Sequence, residues 1–502
     1  MESALASGGP GTRVATAQPW ESDLARLLQA AVLGAMALGI IATMLGPLHR
    51  MPLWMPRDEN EGWNAYQALA ALSGSLLYPP GNAFITNNYP PLSFYIVGAL
   101  GRVLGDNLVA GRLIALLSEL AVAGNIFLLV RILRGERFFA LFSSLLFLLY
   151  IGANAQSYVA MDDPEWLAHA FVTGGAVLFL RAQSTWRPAV SLLLSGLLCV
   201  AGVLVKHNVI VLPFVVFLWA LLNDRRQLLA WVAIGSILGA VSLLLMTDAY
   251  GVVFLTDVLG HKRGLSLHKL AGDSVRLLGP MTPLLLAAAL LGAFAWRETS
   301  MRLVLTYALV GGAIGLWFLA GVGIDVNVLF DLIIALSAAA GLFARRLVPM
   351  FAPEHRRLAP ALITAVMAAL CAPTAIEATV SGLDIIRQDR LQSGHYRELI
   401  AAIAAAPGPV ACEQPSLCYW AGKPFEIDFS NYGKKMHAGV GGPEVLRQRF
   451  DAGYYAYIQT TGHPAEVRNL TRHYLGDALA RQLDQRYVAV RQVNEHYLLA
   501  PR

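Results

Sequence analysis

Two acidic clusters, Asp58-Glu59-Asn60-Glu61 and Asp162-Asp163, stand in a chain otherwise dominated by apolar runs. Each lies just outside such a run, where a carboxylate is costly unless it has a task or a partner. A carboxylate of this kind can accept a proton from a hydroxyl while neighbouring aromatic and amide groups hold a sugar. The first cluster is followed by Gly62-Trp63-Asn64-Ala65-Tyr66, which supplies both group types. Paired carboxylates are also hard oxygen ligands, so a divalent metal is an open option, although none is predicted. The competing reading is a solvated acidic turn leading into an interfacial helix. What separates the two readings is whether both clusters face the same side of a membrane.

The chain has 502 residues, 56% of them hydrophobic and 14% charged, with mean hydropathy +0.54. Soluble proteins carry roughly a quarter charged residues, so an all-α polytopic membrane protein is expected. The net charge of +5 does not point to nucleic acid, because the arginines gather in short connections between apolar runs rather than in a basic, aromatic-interleaved patch. Runs of spanning length lie near 27–47, 111–130, 138–156, 166–180, 188–205, 208–222, 228–248, 278–296, 303–321, 328–344 and 358–378, about eleven in all. Arg-bearing connections at 131–137, 181–187, 223–226, 297–302 and 345–357 alternate with Arg-free or acidic ones at 157–165 and 322–327. The positive-inside rule places the Arg-rich set, and the N-terminal tail 1–26, in the cytoplasm. A bacterial inner membrane is the expected location. The tail has the features of no cleavable signal, so the first span is read as an uncleaved anchor.

The segment 90–104 tests this scheme, because a crossing there would put the two acidic clusters on opposite faces. As a helix it reaches only about 21 Å, it is led by prolines, and it is read as lying in the interface plane. The membrane domain is then 27–378 with a large first exterior loop at 49–110, too long for a plain connector and so expected to be functional. A connector at 379–406 leads to an exterior α/β domain at 407–502, with strand-like runs at Val410–Cys412, Phe425–Phe429, Tyr454–Ile458, Tyr487–Val490 and His496–Leu499. Helix-like runs fall at 443–451 and 474–486. Cys412 and Cys418 are either a small-loop disulfide in an oxidising exterior or a pair of free thiols. Cys199 and Cys371 lie in apolar runs and read as packing residues.

Taken in order, Asp58-x-Asn60-Glu61-Gly62-Trp63-Asn64-Ala65-Tyr66, Leu77-Tyr78-Pro79 and Tyr89-Pro90-Pro91-Leu92 resemble the first loop of GT-C-fold membrane glycosyltransferases. That superfamily includes the protein O-mannosyltransferases and the lipid A aminoarabinose transferase. Asp106-Asn107 with Gly111-Arg112-Leu113, Met161-Asp162-Asp163-Pro164-Glu165 and Gly422-Lys423-Pro424 extend the likeness. The resemblance implies a polyprenyl-phosphate sugar donor, a lipid, polysaccharide or protein acceptor, and transfer on the non-cytoplasmic face with inversion. It further implies a first-loop acid as general base, Asp58 or its rival Glu61, with Asp163 or Asp162 beside it.

A phosphate leaving group needs cations, and the exterior loop at 249–277 carries His261-Lys262-Arg263 against the positive-inside trend. Contact with anionic headgroups would explain that cluster equally. Lys206-His207 interrupts an apolar stretch at the exterior end of a span, as a phosphate contact or as a snorkelling side chain. Glu59, Tyr66, Tyr89, Arg112 and Asn327 complete the candidate substrate-binding set, Asn327 having helix capping as its alternative role. Glu119, His169 and Asp331 sit in or near spans and divide between function and hydrogen-bonded packing. The rival from another class is a transporter or lipid-carrier flippase, which predicts internal repeats and broken helices in matching halves. No such repeat is visible.

Overall fold

The structure is a computed structural model and describes residues 19–80, 83–260, 264–321, 323–437, 439, 441–466 and 469–502. Each predicted span falls on helix. The membrane-region helices are α1 (Pro19–Arg50), α2 (Glu59–Ser73), α3 (Leu92–Leu104), α4 (Asn107–Ile132), α5 (Arg137–Asn154), α6 (Glu165–Arg181), α7 (Pro188–Val205), α8 (Val211–Asn223) and α9 (Arg225–Leu259). They continue as α10 (Leu267–Leu278), α11 (Thr282–Ala295), α12 (Thr299–Leu319), α13 (Phe330–Leu347), α14 (Ala359–Ala369) and α15 (Ala372–Ala404). Among the described residues seven helices are long and apolar enough to cross a membrane, or nine if the bent pairs α10–α11 (83°) and α14–α15 (53°) each count as one span. α6 and α8, at 17 and 13 residues, are short beside the ~20 residues a crossing needs, which is where the reading of about eleven exceeds this count. The chain is a multi-pass membrane protein.

The Arg-rich connections gather at one end of the bundle. Arg346 pairs with Glu298 at 2.9 Å and Arg345 with Glu136 at 3.7 Å, joining the turns before α12 and α5 to the last turn of α13. At the other end, the two acidic loops touch each other. Asn64 Nδ2 donates to the Asp162 carbonyl at 2.7 Å, and Arg57 donates to the carbonyls of Ser157, Val159 and Ala160. The segment 90–104 therefore does not separate them. Its helix, α3, starts after Pro91 and stops at Gly105 in the left-handed region (φ 80). It runs alongside α2 in the same direction, with Phe94 against Trp63 and Arg102 donating to the Leu72 carbonyl.

Two segments on this face take helical form. The exterior loop read at 249–277 is mostly helix, because α9 continues through a kink at Gly251 (φ 71) to Leu259 and α10 begins at Leu267. The connector read at 379–406 is the outer part of α15, one 33-residue helix that runs from the bend into the tail domain.

The tail domain adds β1 (Val410–Cys412), α16 (Pro415–Trp420), α17 (Phe429–His437), α18 (Glu444–Asp451), β2 (Tyr457–Thr461), α19 (Leu470–Leu475), α20 (Asp477–Arg486), β3 (Tyr487–Val493) and β4 (His496–Pro501). The sheet order is β1-β2-β4-β3, with β1 parallel to β2 and the other pairs antiparallel. The expected strand at Phe425–Phe429 does not form. Pro424 removes a ladder donor, and the Asp428 carboxylate instead accepts from Asn431 N at 2.9 Å, opening α17. Cys412 and Cys418 form a disulfide with Cα atoms 5.9 Å apart, pinning α16 to β1. Cys199 and Cys371 are free and buried, as read.

The domain lies directly on the first loop. Tyr66 stacks on Phe425 with centroids 4.7 Å apart and donates to the Lys423 carbonyl at 2.7 Å, while Trp420 Nε1 donates to Asp106 at 3.1 Å. α2 comes so close to α16 that a Cβ on Gly62 would collide with the Ser416 backbone nitrogen. Gly62→Ala is expected to lower stability by about 1–3 kcal/mol through forced separation of α2 from α16. A thermal melt of the purified protein, read with protease sensitivity of the tail domain, checks this; an unchanged melt would mean that the contact does not hold the domain.

Candidate active site

Asp58 closes the N-terminus of α2. One of its carboxylate oxygens accepts from Asn60 N at 2.8 Å and from Asn60 Nδ2 at 2.6 Å, satisfying donors that a helix start leaves orphaned. The side chain lines a cleft of about 230 Å³, with Arg50, Arg57, Tyr158 and Asp325 among the other walls. Burial pushes its pKa up to about 6, against the pull of the Asn60 hydrogen bonds and with help from Glu59 and Glu61. An acid poised there is ionised at neutral pH and readily reprotonated.

Glu61 is placed quite differently. It is wholly buried, and the Arg112 guanidinium clasps it, Nε to one oxygen at 2.9 Å and Nη2 to the other at 2.6 Å. The first oxygen also accepts from Asp162 N at 3.1 Å. Burial would raise this carboxyl, but Arg112 outweighs it and holds the pKa below the ordinary value. Both oxygens are engaged, so Glu61 has no route to an acceptor. The remaining Arg112 donors go to the carbonyls of Arg50, Met51, Leu53 and Met55 at 3.0, 3.2, 2.9 and 3.0 Å. Of the two roles the sequence leaves open to Arg112, pairing with a first-loop carboxylate or with phosphate, it takes the first, and no donor is left for the second.

Asp162 and Asp163 part company in the same way. The Asp162 carboxylate is pressed against Gly111 of α4, where any Cβ would overlap it. One of its oxygens has no hydrogen-bond partner among the described residues. Burial, reinforced by Glu61, raises its pKa well above the ordinary carboxylate value. Asp163 accepts from Glu165 N at 2.8 Å and pairs with Lys206 Nζ at 3.0 Å.

Lys206, at the end of α7, also pairs with Glu165 at 2.7 Å and sits 4.9 Å from the centre of the Tyr89 ring. Glu165 further accepts from Asn327 Nδ2 at 2.8 Å and lies 3.5 Å from His169 Nε2. The chain continues inward, His169 to Asp331 at 3.9 Å and Tyr307 OH donating to Asp331 at 2.6 Å. Lys206, Asn327 and Tyr89 are thus brought together, with Glu165, His169, Asp331 and Tyr307 behind them. Glu59 and Tyr66 are drawn to the tail domain: Glu59 accepts from Tyr474 OH at 2.8 Å, and Tyr66 makes the docking contacts already described. His207 follows Lys206 in the turn before α8. His261, Lys262 and Arg263 lie outside the described residues. Among the described residues no three or more His, Cys, Asp or Glu side chains are grouped to hold a metal ion.

Sequence reasoning missed Arg57, which ties the first loop to the second, and Tyr158 and Tyr307. Arg57 had a detectable signal, an arginine next to Asp58 on the face that the positive-inside rule keeps poor in them. Tyr307 had none, sitting inside the apolar α12, and Tyr158 had only its place in the short turn Gln156–Tyr158 ahead of Asp162-Asp163.

Across 94% of this chain and 97% of its own, the crystal structure of apo ArnT from Cupriavidus metallidurans superposes with a TM-score of 0.63 at 14% identity. The fold is GT-C. The same enzyme bound to undecaprenyl phosphate gives 0.60 at 13% identity, over 95% and 97% of the two chains. An Archaeoglobus fulgidus oligosaccharyltransferase tethered to an acceptor peptide gives 0.52 at 12% identity, over 92% of this chain and 72% of that one. The family model of dolichyl-phosphate-mannose-protein mannosyltransferases matches residues 88–249, which run from α3 into α9 of the GT-C bundle. No curated protein sequence matches the chain.

Because Arg112 serves one carboxylate and four carbonyls, a lysine cannot replace it: a single ammonium lacks the fork. Arg112→Ala, which strands Glu61 unpaired, is expected to destabilise the protein by about 3–5 kcal/mol, and Arg112→Lys by a substantial part of that. Denaturation midpoints of the detergent-purified variants measure the loss. A melt for Arg112→Ala equal to that of the parent would contradict a structural role for this pair.

Proposed function

We propose that the protein transfers a sugar from a polyprenyl-phosphate donor to an acceptor hydroxyl on the extracytoplasmic face of the membrane, with inversion at the anomeric carbon. The observation that carries this reading is the placement of Asp58: it opens onto a cleft, while Glu61, Asp162 and Asp163 are each sealed by protein. The fold it stands in is shared with membrane glycosyltransferases. Two features support the orientation. The Arg-rich connections gather at the opposite end, which the positive-inside rule keeps cytoplasmic, and the Cys412–Cys418 disulfide belongs in an oxidising compartment.

In the proposed reaction Asp58 takes the proton of the acceptor hydroxyl as its oxygen attacks the anomeric carbon. The bond to the phosphate oxygen breaks on the opposite side, and the phosphate leaves with the electron pair. Lys206 is already neutralised by Asp163 and Glu165, so its part is to hold Asp163 and Glu165 in place beneath Tyr89. The cations for the departing phosphate are assigned by composition to His261-Lys262-Arg263, an electrostatic task of a few kcal/mol per well-placed donor.

Asp58→Asn should lower transfer by about 10²–10⁴-fold with the melting temperature kept, since general-base contributions are of that size. In the parent protein the rate should climb as pH rises through about 6, where Asp58 loses its proton, and level off above it. Transfer undiminished in Asp58→Asn, or a rate independent of pH across that range, would remove Asp58 from the role.

A further inference from the structure

Among the described residues the Asp58 carboxylate is hydrogen-bonded only to Asn60, two positions along its own chain. Its place in the cleft is therefore set by the residues on either side of it. Arg57, before it, is tied to the second loop through the carbonyls of Ser157, Val159 and Ala160. Glu59, after it, is tied to the tail domain, because its carboxylate accepts from Tyr474 OH at 2.8 Å. The residue with the basic task is strung between these two anchors. One of them lies in a domain that contributes no wall residue to the Asp58 cleft.

Tyr474 stands on a firm mount. It lies on α19, whose cap Asn469 accepts from Arg472 N at 3.0 Å and donates to the carbonyls of Thr461 and Gly462, at the end of β2, at 3.1 and 2.8 Å. Buried Glu413, just after β1, fastens α19 to the sheet a second time: one of its oxygens accepts from Thr461 N at 2.6 Å and from Thr471 Oγ1 at 3.3 Å. On the α17 side, Gly433 is so near that a Cβ there would collide with the Tyr474 carbonyl oxygen. The charged and polar groups facing Glu59 come from the same parts: Lys434, Asp428 and Ser430 from α17, Glu413 from the end of β1, and Tyr474 from α19. Burial pushes the Glu413 pKa up to about 8, so at pH 7 it mostly keeps its proton and adds little repulsion. Burial raises Glu59 as well, while the Tyr474 hydrogen bond and Lys434 favour its ionised form. Around Asp58 itself stand Glu59 and Glu61 on its own helix, Arg57 beside it, and Arg50, Tyr158, Asp325 and Ile385 of α15 along the cleft.

We propose that Tyr474 is a positioning residue for the transfer reaction: by holding Glu59 it fixes the first turn of α2, and with it the Asp58 carboxylate, relative to the cleft. The tail domain thereby acts on the chemical step without touching either substrate. The proposal rests on Asp58 as the base. A base displaced by a fraction of an ångström loses rate rather than binding, so the effect falls on kcat. Loss of the Tyr474 hydroxyl also leaves Glu59 with one donor fewer, which favours its protonated form. A neutral Glu59 no longer opposes ionisation of Asp58, so the pH of half-maximal rate moves below the value of about 6 set by the present surroundings.

The test uses the full-length protein in nanodiscs, with radiolabelled polyprenyl-phosphate sugars from metabolically labelled cells as donor and unfractionated envelope extract of the same cells as acceptor. Tyr474→Phe keeps the ring and deletes only the hydroxyl. It should lower kcat about tenfold or more, with the apparent KM for the labelled donor within about twofold of the parent. Its thermal melt should stay close to parental, and its pH of half-maximal rate should fall. In a Glu59→Ala background, Tyr474→Phe should have no further effect on kcat, because the two residues act through one bond. Parental kcat and an unmoved pH profile in Tyr474→Phe, or losses that multiply with those of Glu59→Ala, overturn the positioning role while Asp58→Asn still abolishes transfer. Should Tyr474→Phe fail to fold, Glu59→Ala, which removes the acceptor of the same bond, decides by whether kcat falls at unchanged KM. Transfer undiminished in Asp58→Asn overturns the base assignment and the positioning role together.

Discussion

The buried fork between Glu61 and Arg112 is the constraint on which the rest of the site depends. A guanidinium and a carboxylate taken together into a closed interior are tolerated only when every remaining donor and acceptor is used. Here the leftover donors fold residues 50–55 into a tight turn around Arg112, and the carboxylate accepts the Asp162 backbone N–H. One ion pair thereby sets the end of α1, the start of α2, the top of α4 and the second loop relative to one another. Asp58 stands three residues before Glu61 in the chain, so its position follows from that pair as much as from its own cap. The aromatic docking of the tail domain is laid over an arrangement already determined beneath it.

The membrane fold was legible because its signals are long-range averages. Apolar runs, arginine-bearing connections and a change of composition near the C-terminus each survive without knowledge of any contact. The shared face of the two acidic loops also followed from counting, once 90–104 was read as too short to cross. Strand positions in the tail agree at Val410–Cys412, Tyr487–Val490 and His496–Leu499, fall three residues early at Tyr454–Ile458 against β2, and fail at Phe425–Phe429, where Pro424 and the Asp428 cap decide otherwise.

The site was harder to read, for a physical reason. Asp58, Glu61, Asp162 and Asp163 are equivalent as letters and differ only in what surrounds them. Glu61 is claimed by an arginine 51 positions away, and Asp163 by a lysine 43 away. Asp162 is sealed against the helix face at Gly111. None of these partners is local in the chain, so no spacing rule could rank the four acids. The same holds for Lys206, which read as a phosphate contact or a snorkelling side chain and is instead the bridge between Asp163 and Glu165. His169 and Asp331 carried a usable hint, because charge inside apolar helices is seldom idle.

α15 has a mechanical meaning beyond its lining role. At 33 residues it extends about 50 Å without a break at ~1.5 Å per residue, from the bend at Leu370-Cys371 to the floor of the tail sheet. Near mid-length, Asp389 is clamped by Arg50 at the top of α1, so tilt in one helix is passed to the other. Any change in the tilt of this shaft would carry the roof of the cleft with it, so the height of the tail sheet above the bundle and the shape of the cleft form one geometric setting.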